Sequence, residues 1–151
     1  MSRKIVKPAL KPVTLLLREV QVATRQALEE ALRDAGLTVS QANILTELAY
    51  GKARSNAELA RIHSVTPQTM IEILVSLERR GLISRMTQPD GGRAMPAELT
   101  REGHASVLTV HQAIRSVEET LLSPLSRDDV SRLRRLLQDC LAAFEKNDIA
   151  G

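Results

Sequence analysis

The chain has 151 residues, 43% hydrophobic and 26% charged, which are the proportions of one globular domain rather than of a disordered chain or a coiled-coil rod. One Tyr, one Phe and no Trp leave aliphatic helices to pack on helices, and exclude an aromatic platform for stacking single-stranded bases. The net charge of +3 is unevenly spread: residues 51–101 hold eight basic against five acidic side chains, whereas 102–151 hold six against eight.

Met1 to Lys11 carries Arg3, Lys4, Lys7 and Lys11, but the apolar run after it is cut short by Arg18 and Glu19, so neither a signal peptide nor a membrane span is expected. Residues 12–35 place Val13, Leu16, Leu17, Val20, Leu28 and Leu32 at three-and-four spacing and predict one long amphipathic helix closed by Gly36. Ser40 is the expected N-cap of a second helix, through Tyr50, closed by Gly51. Ser55-Asn-Ala-Glu58 is a capping box, in which each side chain satisfies a free amide of the other, and it opens a short helix to Ile62.

Thr66-Pro67 supplies an N-cap and then a proline at the first helical position, where its missing amide costs nothing. The helix it opens runs to Arg80. Met70, Ile73, Leu74 and Leu77 form its apolar stripe, which leaves Gln68, Thr69, Glu72, Ser76 and Arg79 outside it. Leu82–Met86 and Ala94–Leu99 flank Pro89-Asp-Gly-Gly92 and predict a hairpin, with Pro96 confining its strand to an edge. Thr100 caps a long helix broken at Ser123-Pro124, and Ser126 caps a last one carrying Leu133, Leu136, Leu137, Leu141 and Phe144.

Catalytic chemistry finds little to use. His104 and His111 are seven apart, ~10.5 Å along one helix, too far to share a metal ion. The pairs Glu29-Glu30, Glu118-Glu119 and Asp128-Asp129 are adjacent and diverge by ~100° on a helix, so they do not converge as general acid and base. No phosphate-loop, zinc-protease or serine-hydrolase motif occurs, so no enzyme, cofactor or metal is expected. The lone Cys140 excludes an internal disulfide and points to the cytoplasm; among Leu136, Leu137 and Leu141 it reads as a buried apolar residue rather than a thiol sensor.

Two short helices joined by a tight turn and followed by a hairpin, in the electropositive third of the chain, match a helix-turn-helix with a β wing. The fold class is therefore mainly α with a small β wing. Thr66 to Arg80 is the reading helix, its first turn deepest in the major groove; Gln68 and Thr69 are the base-reading candidates, because Gln pairs bidentately with adenine and Thr bonds a base edge or touches a thymine methyl. Arg79 and Arg85 are candidate phosphate contacts. Glu72 either accepts from a cytosine amino group or pairs with a neighbouring arginine such as Arg61.

Glu58-Leu-Ala60, Val65-Thr-Pro-Gln-Thr-Met70, Leu77-Glu-Arg-Arg-Gly-Leu-Ile83 with Arg85, Asp90-Gly-Gly-Arg93, and Leu99-Thr100 with Gly103 together resemble the multiple antibiotic resistance regulator (MarR) family. The likeness covers nearly the whole chain. It implies a homodimeric transcription regulator, more often a repressor, bound to palindromic double-stranded DNA and open to a small-molecule effector. Residues 1–36 and 102–151 would supply the dimerisation helices and 37–101 the winged helix-turn-helix lobe. Arg93 matches the family arginine that enters the minor groove from the wing turn Asp90-Gly91-Gly92.

Three positions depart from the family pattern. Glu72 stands where a basic residue is common, Ile71 where a small hydroxyl residue is, and Asp90 is separated from Arg93 by two residues instead of one. Asp90 thus either orients Arg93 or simply caps the turn. The apolar stripes of the first and last two helices exceed what a lobe of this size covers, which favours a partner chain over a monomeric bundle. A winged helix used for protein docking and a nonspecific DNA-binding protein are the alternative functions.

Overall fold

The computed structural model describes residues 10–51, 55–85 and 96–148. In chain order these form α1 (Val13–Ala31), α2 (Val39–Ala49), α3 (Asn56–Ile62), α4 (Pro67–Arg79), β1 (Ile83–Ser84), β2 (Glu98–Leu99), α5 (Arg101–Leu122) and α6 (Arg127–Asp148). The chain divides after Val117 into two compact units. In the first, α3 and α2 pack on α4, β1 pairs antiparallel with β2, and the end of α1 meets α2.

The cap chemistry that predicts these helices is mostly realised. Ser55 and Glu58 close their box, with the Glu58 amide donating to Ser55 Oγ at 3.2 Å and the Ser55 amide to Glu58 Oε2 at 2.7 Å. Thr66 accepts from the Thr69 amide at 3.1 Å, and Ser126 accepts from the Asp129 amide at 3.1 Å. The second helix corrects its expected start: Thr38, not Ser40, is the N-cap, because Gln41 three residues on completes a second capping box. The first helix also ends sooner than expected, at Ala31; Leu32–Gly36 continue as turns, stopped by Gly36 at φ +62°, a left-handed conformation that costs glycine nothing.

One core fills the first unit. Leu32, Ile44, Leu45, Leu59, Met70, Leu74, Leu77 and Val110 are fully buried. The stripe of α4 divides as its spacing requires, with Met70, Leu74 and Leu77 inside and Ile73 half-buried. Where α4 ends, Gly81 at φ +70° turns the chain into β1, and the wing base is stitched to α5: Thr100 Oγ1 donates to the Gly81 carbonyl at 2.6 Å and its amide to the Leu82 carbonyl at 3.1 Å. Gly103, one turn into α5, lies directly against that Leu82 carbonyl.

The remaining apolar stripes are not covered. Helix α1 has no buried residue, and Leu15, Leu16, Leu17, Val20 and Val22 are exposed along it. Along α6, Leu133, Leu136, Leu137, Leu141 and Phe144 are likewise exposed. Cys140 is exposed too, contrary to the burial expected from its leucine neighbours, because those leucines are themselves uncovered within a single chain. Tyr50, the C-cap of α2, is 71% exposed.

Candidate nucleic-acid interface

The helix-turn-helix is built from α3, a turn at 63–66, and α4. The turn is tight because Ser64 adopts φ +52°, with its amide donating to the Arg61 carbonyl and the Val65 amide to the Ala60 carbonyl. Left-handed geometry at a non-glycine residue is uncommon and no local signal in the sequence announces it. From this turn α4 emerges with one face locked in the core and the other in solvent.

Thr66, Pro67, Gln68, Thr69 and Glu72 are all exposed at the start of that helix. Thr66 Oγ1 is engaged twice, by the Thr69 amide and by Thr69 Oγ1 at 2.9 Å, so Thr66 acts first as a cap. Gln68 Nε2 donates to Glu72 Oε1 at 3.4 Å, and no pairing of Glu72 with Arg61 occurs among the described residues. The neighbour Glu72 uses is therefore on its own helix, one turn back. At 100° per residue, Gln68, Glu72 and Arg79 fall within about 40° of one another around the axis and make one polar stripe. Ile71, beside it, is also exposed.

Arg85 sits at the wing base, where its Nε donates to Glu78 Oε2 at 3.0 Å and a terminal nitrogen donates to the same oxygen at 2.5 Å. Its charge is therefore partly matched before any anion arrives, and its remaining N–H groups are the ones open to a phosphate. The strand residues paired in the hairpin are Ile83 with Leu99 and Ser84 with Glu98. The rest of the predicted wing, including Asp90, Gly91, Gly92 and Arg93, and the basic residues Arg3, Lys4 and Lys7 lie outside the described residues.

Sequence reasoning missed two residues that fix this site. Arg80 donates to the carbonyls of Gly36 at 2.7 Å and Ala35 at 3.1 Å, and Gln41, only 9% exposed, donates to Ser76 Oγ at 3.0 Å. The spacing Thr38-x-x-Gln41 could have shown the second as a capping-box partner; nothing local shows the first, since its partners lie more than forty residues away. Near them a cleft of about 640 Å³ opens between α1, the start of α2 and α4, lined among others by Arg25, Arg33, Leu37, Val39, Thr69 and Ile73.

Among the described residues no group of three or more His, Cys, Asp or Glu could hold a metal ion, and no helix is long and apolar enough to cross a membrane. A short reading helix presented by a tight turn, backed by a core and followed by a two-stranded wing base, defines a winged helix-turn-helix DNA-binding regulator.

Known proteins place that class more closely. Residues 37–95 match the model of the MarR family. The chain is 33% identical over 127 residues, 84% of its length and 91% of the relative's, to the HTH-type transcriptional repressor Rv2887 of Mycobacterium tuberculosis. It superposes on the crystal structure of that protein with salicylic acid at a TM-score of 0.74 and 31% identity, covering 89% of this chain and 99% of that one. The structure of Rv2887 with DNA gives 0.73 and 30%, covering 86% and 98%. The chain belongs to the MarR family.

Proposed function

We propose that the protein is a homodimeric, non-catalytic, cytoplasmic repressor that lays α4 of each protomer into successive major grooves of a palindromic operator. The observation that carries this reading is the two-faced α4: Met70, Leu74 and Leu77 bury its inner face in the core while Gln68, Thr69, Glu72 and Arg79 stand in solvent on the outside. The DNA complex of Rv2887 supports it. The uncovered stripes of α1 and α6 support dimerisation through residues 1–36 and 102–151, with 37–101 binding DNA, although Leu32 and the first half of α5, through Val107, Val110 and Ala113, also pack in the core of the DNA-binding lobe. Arg79 and Arg85 would contact phosphates and Arg93, from the wing turn, the minor groove.

Such a dimer represses sterically, by covering a promoter element with reading helices ~34–36 Å apart, one turn of B-DNA. The cleft beside α4 supplies a route to release. It combines aliphatic side chains with Arg25 and Arg33, which are ion-paired with Glu29, itself in the lining, and Glu30, so a carboxylate there would compete with those partners for the two guanidinium groups. Thr69 and Ile73 of α4 form part of the wall, so an occupant touches the reading helix directly. With the salicylic acid complex of Rv2887 in view, a small amphiphilic carboxylate is the effector class that fits. A ligand that binds better when the helices are out of register with DNA lowers operator affinity by that difference.

Selection of random duplex DNA by the purified protein at near-physiological salt tests the reading. Enrichment of an inverted repeat with half-site centres ~10 bp apart is expected; retention without a motif would make it a nonspecific binder, and no retention a docking module. On the enriched site Gln68→Ala is expected to cost ~1–3 kcal/mol and to relax one base position per half-site. An equal loss on random DNA would make Gln68 a backbone contact instead.

A further inference from the structure

Arg80 lies at the end of α4 remote from the base-reading residues: twelve residues beyond Gln68, it is about 18 Å along the axis. Its guanidinium turns away from the polar stripe and reaches back to the segment that ends α1, where the carbonyls of Ala35 and Gly36 have no helix to bond to and accept from it at 3.1 and 2.7 Å. The same group reaches Gln41 Oε1 at 3.4 Å. Gln41 in turn takes the Thr38 amide at 3.1 Å and gives its own amide to Ser76 of α4 at 3.0 Å.

A closed polar ring thus joins the last turns of α4 to the turns that follow α1 and to the first turn of α2, through partners 35 to 45 residues apart in sequence. Gly36 suits the ring in two ways. The first is its φ of +62°, a left-handed conformation that glycine adopts without strain; the second is that its surroundings are not crowded, since even a Cβ there would meet an Arg80 terminal nitrogen only at an ordinary contact distance of 3.8 Å. Two neighbouring carbonyls need a planar fork of donors, which arginine has and lysine does not.

We infer that Arg80 is a positioning residue for operator recognition: it pins the far end of the reading helix to the turns that lead out of α1 at 32–36 and so sets the angle of α4, and with it the half-site spacing the dimer accepts. The inference rests on the reading of α4 as the recognition helix of a dimer. The leverage is geometric. With Gln68 about 18 Å from the pinned end, a tilt of about 3° moves the base-reading turn by about 1 Å, enough to misalign a hydrogen bond to a base edge. Because α1 carries an exposed apolar stripe, the angle of α4 is referred to the element that faces the partner.

The test measures affinity of wild type, Arg80→Met and Arg80→Lys for the selected operator and for versions with the half-sites moved one base pair closer or apart, each across a salt series. Wild type is expected to prefer the native spacing by about tenfold or more, and both variants by no more than about threefold, with the slope of log affinity against log salt unchanged. The lysine variant separates geometry from charge: full discrimination in Arg80→Lys overturns the proposal. So does a salt slope reduced by about 0.9 for each protomer, which would make Arg80 a phosphate contact. Variants that melt earlier yet keep wild-type spacing preference reduce Arg80 to a stability role and overturn it as well. A wild type with no spacing preference overturns the regulator reading and this proposal with it, whereas a discriminating wild type matched by its variants overturns this proposal alone.

Discussion

Gly103→Ala is expected to destabilise the fold by about 3 kcal/mol, a fall of roughly 6–12 °C in thermal midpoint for a chain of this size. Two effects oppose each other at this position. Gly103 lies inside α5 with ordinary helical backbone, so propensity alone would make alanine the better residue by about 1 kcal/mol. Sterics dominate, because the new Cβ would stand 1.9 Å from the Leu82 carbonyl oxygen and 3.2 Å from Leu99 Cδ2. That oxygen is main chain and already accepts from the Thr100 amide, so it cannot swing aside without unpicking the wing base. Melting must be compared at one protein concentration, since a dimer's midpoint depends on it. A variant as stable as wild type, or more so, would show that α5 and the wing base stand further apart than described.

Leu137→Asp combined with Leu141→Asp is expected to give a monomer that binds the operator at least about a hundredfold more weakly. Both side chains lie on the exposed stripe of α6, one turn apart, together with Leu133 and Leu136. Each leucine buried against a partner contributes about 1.5–3 kcal/mol, and a carboxylate in its place must be desolvated without a counter-ion. The core around Leu45, Leu59 and Leu74 is untouched, so the lobe should fold and grip a single half-site while losing the gain of two linked contacts. Sedimentation velocity reports the oligomer and titration of labelled operator the affinity. A persistent dimer with wild-type binding would move the interface away from α6, leaving the stripe of α1 as its seat.

Much of the fold is legible in the sequence, and the reason is local chemistry. Ser55, Thr66, Thr100 and Ser126 announce helix starts through bonds from amides three residues on, and the spacing of Met70, Leu74 and Leu77 fixes which side of α4 is inward. Ser40 misled because two hydroxyl residues flank Val39, and only the longer look to Gln41 picks Thr38. Arg80 and the Glu78–Arg85 pair stayed hidden for another reason. Long charged side chains carry no periodic signal, and their partners are chosen by how the chain folds back. For Cys140 the leucine neighbours suggest a filled core, although a stripe can be apolar and still bare until a second chain arrives.

Tyr50 has a practical consequence. It is the chain's one tyrosine, there is no tryptophan, and it stands largely in solvent at the end of α2, close in sequence to the capping box that opens α3. Beyond the weak, shorter-wavelength band of Phe144, near-ultraviolet absorbance and emission therefore arise from a single chromophore at the end of α2, with the rest of the molecule dark. A spectral change on adding DNA or a carboxylate reports that position alone. A tryptophan introduced anywhere else in the chain would be read against an almost silent background.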